Sequence, residues 1–322
     1  MGAILEVQDL YKSFRRGRRP ALNGLSFQVE AGAIYAFVGP NGAGKTTTIR
    51  ILTTLLKPDA GTAYIGGYRV DKQRMDVRRL MGYIPDEFGL YDEMSVADYM
   101  DFFATCYRIP TERQRSTVDD LLELVGLNER RDDEVRGLSR GMRQRLGLAR
   151  ALVHEPALII ADEPASGLDP RARVELREIL RALQEMGKTI FLSSHVLREL
   201  DDVATHVGIV EAGRLVVSGP IEQIRRQLRP HRRLKISLLG MADDAHAWLK
   251  ARSDVVTVEA VSEGNGNGSS RQGLQVAFDG DETAVVGLLN QLIAAGFPVL
   301  SYTEEKETLE GLFMDLTQGG IS

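Results

Sequence analysis

One stretch constrains the fold more than any other: Gly39-Pro40-Asn41-Gly42-Ala43-Gly44-Lys45-Thr46-Thr47, which fits the pattern G-x-x-x-x-G-K-[ST]. The glycines let the backbone turn through positive φ and bring its N–H groups up to a polyphosphate. Lys45 adds a mobile cation, and the Thr46 hydroxyl is placed to hold Mg²⁺. Ahead of the loop, Ala33-Ile34-Tyr35-Ala36-Phe37-Val38 is a continuous apolar run, the pattern of a strand buried on both faces of a parallel sheet. Behind it, residues 47–52 read as a helix whose N-terminus points at the phosphates. Strand, glycine loop and helix in this order predict an α/β fold.

The totals bound the rest. At 322 residues the chain is long enough for two domains, and 43% hydrophobic with 26% charged residues is the balance of an ordinary globular protein. A net charge of −5 carries no nucleic-acid footprint, so no nucleic-acid partner is expected. The basic runs at residues 15–19 and around 225–233 are short and read as solvated faces. Cys106 is the only cysteine, which excludes an internal disulfide and a thiolate metal cluster and agrees with a reducing compartment; it is expected to be a small buried hydrophobe. No run approaches the ~18 to 20 apolar residues needed to cross a bilayer, and Met1–Glu6 has no basic-then-apolar signal pattern. The expected location is the cytoplasm, with another chain supplying any membrane crossing.

Residues 4–9 and 25–30 alternate like half-exposed strands and predict a small antiparallel sheet beside the parallel one. After the turn Lys57–Gly61 come short strands near 62–66 and 68–70. From 95 to 154 the period becomes helical, with Val96, Tyr99, Met100 and Phe103 on one stripe and Val118, Leu121, Leu122, Leu124 and Val125 on another. Further strands are read at 157–161, 189–192, 206–211 and 214–218, helices at 171–186 and near 196–204, and a hairpin turn at Glu211–Arg214. Arg229–Arg233 reads as a linker. Beyond it the order strand, helix, strand, loop, strand, helix, strand, helix (233–239, 242–251, 254–261, 263–273, 274–279, 281–295, 297–303, 305–317) predicts a split βαβ, ferredoxin-like domain. The expected division is 1–228, with a helical subdomain at about 87–155, and 229–322. Gly264–Ser270 is read as a hairpin loop and Trp248 as core.

Leu138-Ser139-Arg140-Gly141-Met142-Arg143-Gln144-Arg145 lies upstream of the apolar strand ending in Asp162-Glu163, with Ser166-Gly167-Leu168-Asp169 and His195 downstream. In this order, over about residues 4–220, the chain resembles the nucleotide-binding subunit of ABC transporters. The resemblance implies a cassette with a parallel sheet core, an antiparallel β subdomain and a helical subdomain, using ATP and Mg²⁺. Asp162, at the carboxyl end of a buried strand, can reach the metal, and Glu163 is the candidate base for the attacking water. Ser139 caps the helix starting at Arg140, and a capped helix end also binds phosphate. In the family that serine and Gly141 close over the nucleotide of the opposite subunit, His195 matches the γ-phosphate histidine, and Asp169 matches the residue linking the two sites. Phe14 sits where an aromatic ring stacks on adenine, with Tyr11 a competitor.

Three positions depart from the family pattern. Asp86 stands after Gly82-Tyr83-Ile84-Pro85 where glutamine is usual; it can still approach Mg²⁺ but is shorter and charged. Arg140 and Met142 replace the common glycine and glutamine of the signature. By resemblance, two cassettes in a homodimer or heterodimer sandwich two ATP·Mg²⁺ and push on a transmembrane permease, with the subunit peripheral on the inner face of the membrane. Residues 87–103 look like the region that grips that permease, and the tail at 308–317 resembles exporter subunits whose permease is a separate chain. The rival is a soluble ABC ATPase of the translation or DNA-repair type; one cassette, one cysteine and no heptad run argue against it. Against a P-loop kinase or GTPase, the sequence contains no base-specifying N-K-x-D, and that reading leaves 138–145 unexplained.

Overall fold

The computed structural model describes residues 2–14, 19–86, 89, 91–196, 200–228, 231–264, 270–305 and 311. The described chain forms two compact units, one running to Ile221 and one beginning at Glu222.

In the first unit β1 (Ala3–Lys12) pairs antiparallel with β2 (Leu22–Glu30). Alternation buries Leu5 and Val7 against Leu25, Phe27 and Val29. Past Val7 the register slips and Asp9 adopts φ 48°, so Leu10 resumes the inward face. With β4 (Ala60–Ile65) and β5 (Tyr68–Arg69) these make a four-stranded sheet ordered β2-β1-β4-β5.

The second sheet is built on β3 (Ile34–Val38), all of whose residues are buried, as the apolar run predicts. Its companions are β6 (Met81–Ile84), β7 (Leu158–Ala161), β8 (Thr189–Ser194), β9 (His206–Glu211) and β10 (Arg214–Pro220), in the order β10-β9-β3-β8-β7-β6. Only the β10–β9 pair is antiparallel. It is joined by a hairpin whose Ala212 and Gly213 have φ 49° and 76°. Phe27 fastens the sheets together, with ring centroids 5.7, 5.3 and 5.8 Å from Tyr35, Phe37 and Phe191. Burial pushes the Tyr35 phenol far up, and its hydroxyl is satisfied by Ser218 at 2.7 Å.

Around the sheets run α1 (Lys45–Leu52), α2 (Arg74–Leu80) and a helical insertion of α3 (Val96–Cys106), α4 (Thr111–Leu124) and α5 (Arg140–Leu152), followed after β7 by α6 (Pro170–Glu185). Val96, Tyr99, Met100 and Ala104 are the buried residues of α3, with Phe103 at their margin. Cys106 corrects the sequence expectation, for it is exposed. It shares the side of Tyr99, but the last turn of α3 overhangs an open groove lined by Phe103, Tyr107 and Arg150. Residues 200–203 form a turn where a helix near 196–204 was expected, and 197–199 lie outside the described residues.

The second unit begins in α7 (Ile221–Leu228) and runs β11 (Arg232–Leu238), α8 (Ala242–Lys250), β12 (Val255–Gly264), β13 (Ser270–Phe278), α9 (Glu282–Ala294) and β14 (Val299–Glu304). Its antiparallel sheet is ordered β12-β13-β11-β14. Leu234, Ile236, Leu249, Val276, Phe278, Leu288 and Leu292 form its own core. Arg232 and Arg233 pair within β11 and are not linker; Arg229 and Pro230 lie outside the described residues. Trp248 packs edge-on against Phe297 at 5.8 Å while the Arg252 guanidinium covers its ring at 5.0 Å. The glycine-rich loop at 265–269 and nearly all of the expected helix at 305–317 also lie outside the described residues.

Candidate nucleotide site

The loop between β3 and α1 is tight for identifiable reasons. A Cβ at Gly39 would stand 2.1 Å from the Val210 carbonyl oxygen. Gly44, at φ 108°, leaves no room either, since a Cβ there would meet the Ala21 carbonyl at 2.6 Å. No side chain caps α1, and there is no acidic residue in its first turn, so the positive end of the helix is bare. Lys45 is only 7% exposed. Its ammonium donates to the carbonyls of Gly39 at 2.8 Å and Pro40 at 3.4 Å and lies 3.4 Å from Glu163 Oε1.

The parallel sheet delivers the other groups. β7 and β8 run side by side in register, Ala161 opposite Leu192, so Asp162, the first residue past β7, stands next to Ser193, which is still within β8. Asp162 is 3% exposed, and its Oδ1 accepts from the Ser193 hydroxyl at 2.6 Å. Glu163 follows at φ 49°, a left-handed conformation that costs a side-chain-bearing residue about 1–2 kcal/mol. Its N–H donates to Ser193 Oγ at 2.9 Å. Its carboxylate bridges Lys45 and His195, whose Nδ1 lies 2.8 Å from Oε2 and whose backbone N–H donates to the same oxygen at 3.3 Å. Strain held in place by surrounding bonds is characteristic of functional sites.

A cleft of 380 Å³ is lined by Asn41, Gly42, Gly44, Lys45, Thr46, Thr47, Asp86, Glu163, Ser166 and His195, with Ala21 at its edge. A second hollow shares Ala21, Asn41 and Gly42 and adds Pro40 and Ala43. The fold thus gathers the phosphate-loop residues, Asp86, Glu163 and His195. Ser139, Gly141 and Asp169 do not line this cleft, nor does Phe14. Ser139 caps α5 by accepting the Met142 N–H at 3.3 Å, and Asp169 caps α6 by accepting the Ala172 N–H at 2.9 Å. The two helix starts touch: a Cβ on Gly141 would lie 2.7 Å from the Ala172 Cβ, and Arg140 lies over Gly167. Phe14 is 63% exposed with the Lys12 ammonium 5.9 Å from its ring, whereas the Tyr11 hydroxyl is turned against Gly24.

The donor set fits a magnesium ion shared with phosphate. Among the described residues no group of three or more His, Cys, Asp and Glu could cage an ion, and Mg²⁺ ordinarily takes one or two carboxylates and completes its shell with phosphate oxygens and water. Thr46 and Asp86 line the cleft. Burial raises the Tyr83 phenol, with the negative field of Asp162 adding to the effect, Arg50 opposing it and Asp86 contributing least. Sequence reasoning missed Ser193 as a separate actor. Its signal was present, a hydroxyl inside an apolar strand beside the strand ending in Asp162, but only strand pairing gives it a meaning.

Known proteins resemble this architecture over much or all of its length. Residues 22–166 match the ABC transporter family model. The bacitracin transport ATP-binding protein BcrA of Bacillus licheniformis is 34% identical, with 99% of each chain covered. The daunorubicin resistance ATP-binding protein DrrA3 of Streptomyces coeruleorubidus is 32% identical over 94% of this chain and 93% of its own. Among solved structures, an ATP-binding subunit of an ABC transporter superposes with a TM-score of 0.62 at 32% identity, covering 70% of this chain and 92% of that one.

Proposed function

The chain belongs to the ATP-binding subunits of ABC transporters, and on that premise we propose that it powers export through a separate membrane permease by hydrolysing ATP between two cassettes. The observation that carries the reading is the convergence of Lys45, Glu163 and His195 on one cleft at the bare end of α1. ATP binding and hydrolysis are the activities of this family. Export is supported by relatives named for antibiotic transport and resistance that match nearly the whole chain, and these favour it over a soluble ATPase. Among the described residues no helix is long and apolar enough to cross a membrane, and in this reading the crossing is supplied by a separate permease.

In this reading the backbone of residues 39–47 cradles the phosphates and Lys45 pairs with them, exchanging its present carbonyl partners for stronger charged ones. Thr46, Asp162 and Asp86 hold Mg²⁺, whose charge offsets that on the phosphates. Glu163 takes the proton of the attacking water, and His195 both orients Glu163 and reaches toward the γ-phosphate. Phe14 stacks on adenine, favoured over Tyr11 by its open ring face. Ser139, Gly141 and Asp169 act on the nucleotide of a second cassette, identical or related. That assignment is supported by their lying off the cleft of their own chain.

The larger scaffold completes the proposal. The cassette occupies residues 1–228, with the insertion at about 87–155 gripping the permease and holding the subunit on the inner face of the membrane; Glu87, Phe88 and Leu90 of that region lie outside the described residues. Residues 229–322 form a ferredoxin-like accessory domain, a reading supported by the element order of β11 to β14 and their strand order. Replacing Glu163 with glutamine tests the chemistry: ATP binding is retained while hydrolysis slows by about 10²- to 10⁴-fold, the usual contribution of a positioned base. Near-normal turnover in a steady-state phosphate-release assay removes Glu163 from the role.

A further inference from the structure

We infer that Ser193 is a positioning residue for ATP hydrolysis, holding the metal-side carboxylate of Asp162 and the backbone of Glu163 in one geometry through a single buried hydroxyl. The inference rests on the reading of Asp162 as a ligand of nucleotide-bound Mg²⁺. The hydroxyl has two partners and no exposure: it donates to Asp162 Oδ1 at 2.6 Å and accepts the Glu163 N–H at 2.9 Å. A hydroxyl carries one donor and two acceptor sites, so one group can serve both neighbours.

Position explains why the residue is a serine. β8 lies between β3 and β7, with Ser193 opposite Phe37 on one side and one step past the Ala161–Leu192 pair on the other. Its neighbours Ile190, Phe191 and Leu192 are apolar and fully buried. A hydroxyl at such a point would be expensive without partners, and it has two: the buried carboxylate of Asp162 and the backbone N–H of the partly buried Glu163. The adjacent Ser194 does something different: its Oγ accepts the Val196 N–H at 2.9 Å and takes no part in the Asp162 contact.

Two consequences follow for the site. With Oδ1 engaged by Ser193, Oδ2 is the oxygen of Asp162 left to face a cation, because among the described residues it has no hydrogen-bond partner. With its N–H engaged, Glu163 is held in its left-handed backbone conformation, which directs its carboxylate between Lys45 and His195. Removing the hydroxyl frees the metal carboxylate and the base at once.

The test uses the full-length protein with a non-hydrolysable ATP analogue and Mn²⁺ as the spectroscopic stand-in for Mg²⁺, with bound ion read by electron paramagnetic resonance. Ser193→Ala should weaken Mn²⁺ binding by about 10- to 100-fold, the usual effect of losing a group that orients a metal ligand. Binding of the analogue in the presence of EDTA should be unchanged. Ser193→Thr, which keeps the hydroxyl, should restore Mn²⁺ affinity; if the alanine variant does not fold, Ser193→Cys, of similar size but a weak donor, carries the same comparison. Mn²⁺ affinity within about twofold of wild type, or an equal loss of metal-free nucleotide binding, overturns the inference. Asp162→Asn separates the two levels. If it leaves Mn²⁺ affinity intact, the metal reading falls and this inference with it; if it abolishes Mn²⁺ binding while Ser193→Ala does nothing, only the role of Ser193 falls.

Discussion

The N-termini of α1 and α5 are built from opposite choices. At α1 the position before the helix is Gly44, no side chain caps the first turn, and Thr46 and Thr47 line a cleft. At α5 it is Ser139, whose hydroxyl already accepts a backbone N–H, and Gly141 behind it is buried against Ala172. Both ends are positive by the alignment of their peptide dipoles, and neither has an acidic residue in its first turn. The bare end can take a phosphate from solution, aided by Lys45. The capped end is finished within its own chain, and in the proposed dimer its hydroxyl would face an anion held by the other cassette. On the proposed reading a single chain therefore carries two half-sites, and the α5 start does not line the cleft of its own chain.

Lys45→Ala breaks this contrast most severely. With the cation gone the bare helix end alone must hold the triphosphate, and ATP affinity should fall by roughly 10²-fold, the scale of one lost charged hydrogen bond with its attraction. Equilibrium binding of a fluorescent ATP analogue checks it, and unchanged affinity would remove Lys45 from the site. Ser139→Ala should act differently in kind. ATP binding stays near wild type while hydrolysis falls by about 10-fold or more, and thermal unfolding reports a cap loss of about 0.5–2 kcal/mol. Loss of binding in this variant would place Ser139 in the cis cleft.

The smallest effect lies away from both half-sites. His154 stacks on Tyr107 with ring centroids 4.2 Å apart, and its Nε2 lies 3.0 Å from the Met81 carbonyl oxygen. Burial holds its pKa below the ordinary 6.5, so the folded protein keeps it neutral where the unfolded chain begins to bind a proton. Its stabilising contribution is complete above about pH 6.5 and is lost as pH falls from there toward the folded pKa. Urea midpoints measured across that window should decline by an amount worth about 1 kcal/mol or less, and His154→Gln should flatten the decline. Identical pH slopes would show that His154 does not set the stability there. ATP affinity should not follow the same curve, because His154 is not a lining residue of the cleft.

How much of this was legible in the sequence depended on whether a feature is contiguous. The phosphate loop, the Asp162-Glu163 pair and the Ser139 cap are each written in neighbouring residues, and the apolar runs of β3, β7 and β8 announce the strands that carry two of them. The antiparallel sheet of β1 and β2 showed in its alternation, although the slip at Asp9 did not. Short elements were lost: Met81–Ile84 contains a glycine required by the close approach of the Ala151 carbonyl, and α2 buries only Val77. Cys106 was misjudged because helical phase says which side a residue faces, not whether anything packs there. Ser193 was hidden for a related reason. Its meaning depends on the strand next to it, more than thirty residues away in sequence but within one hydrogen bond in space.

The central claim, that a hydrolytic site is assembled from the bare helix end of one chain and the capped helix end of another, can be tested by complementation. Lys45→Ala and Ser139→Ala proteins are purified separately, mixed in equal amounts and assayed for ATP hydrolysis. Each alone has both of its sites damaged. In the mixture half of the dimers combine the two chains, and each of these pairs an intact Lys45 with an intact Ser139 at one of its two sites. The account predicts activity restored to about a quarter of the wild-type level, well above either protein alone. Activity in the mixture equal to the average of the two separate proteins would contradict it, because the site would then belong wholly to one chain.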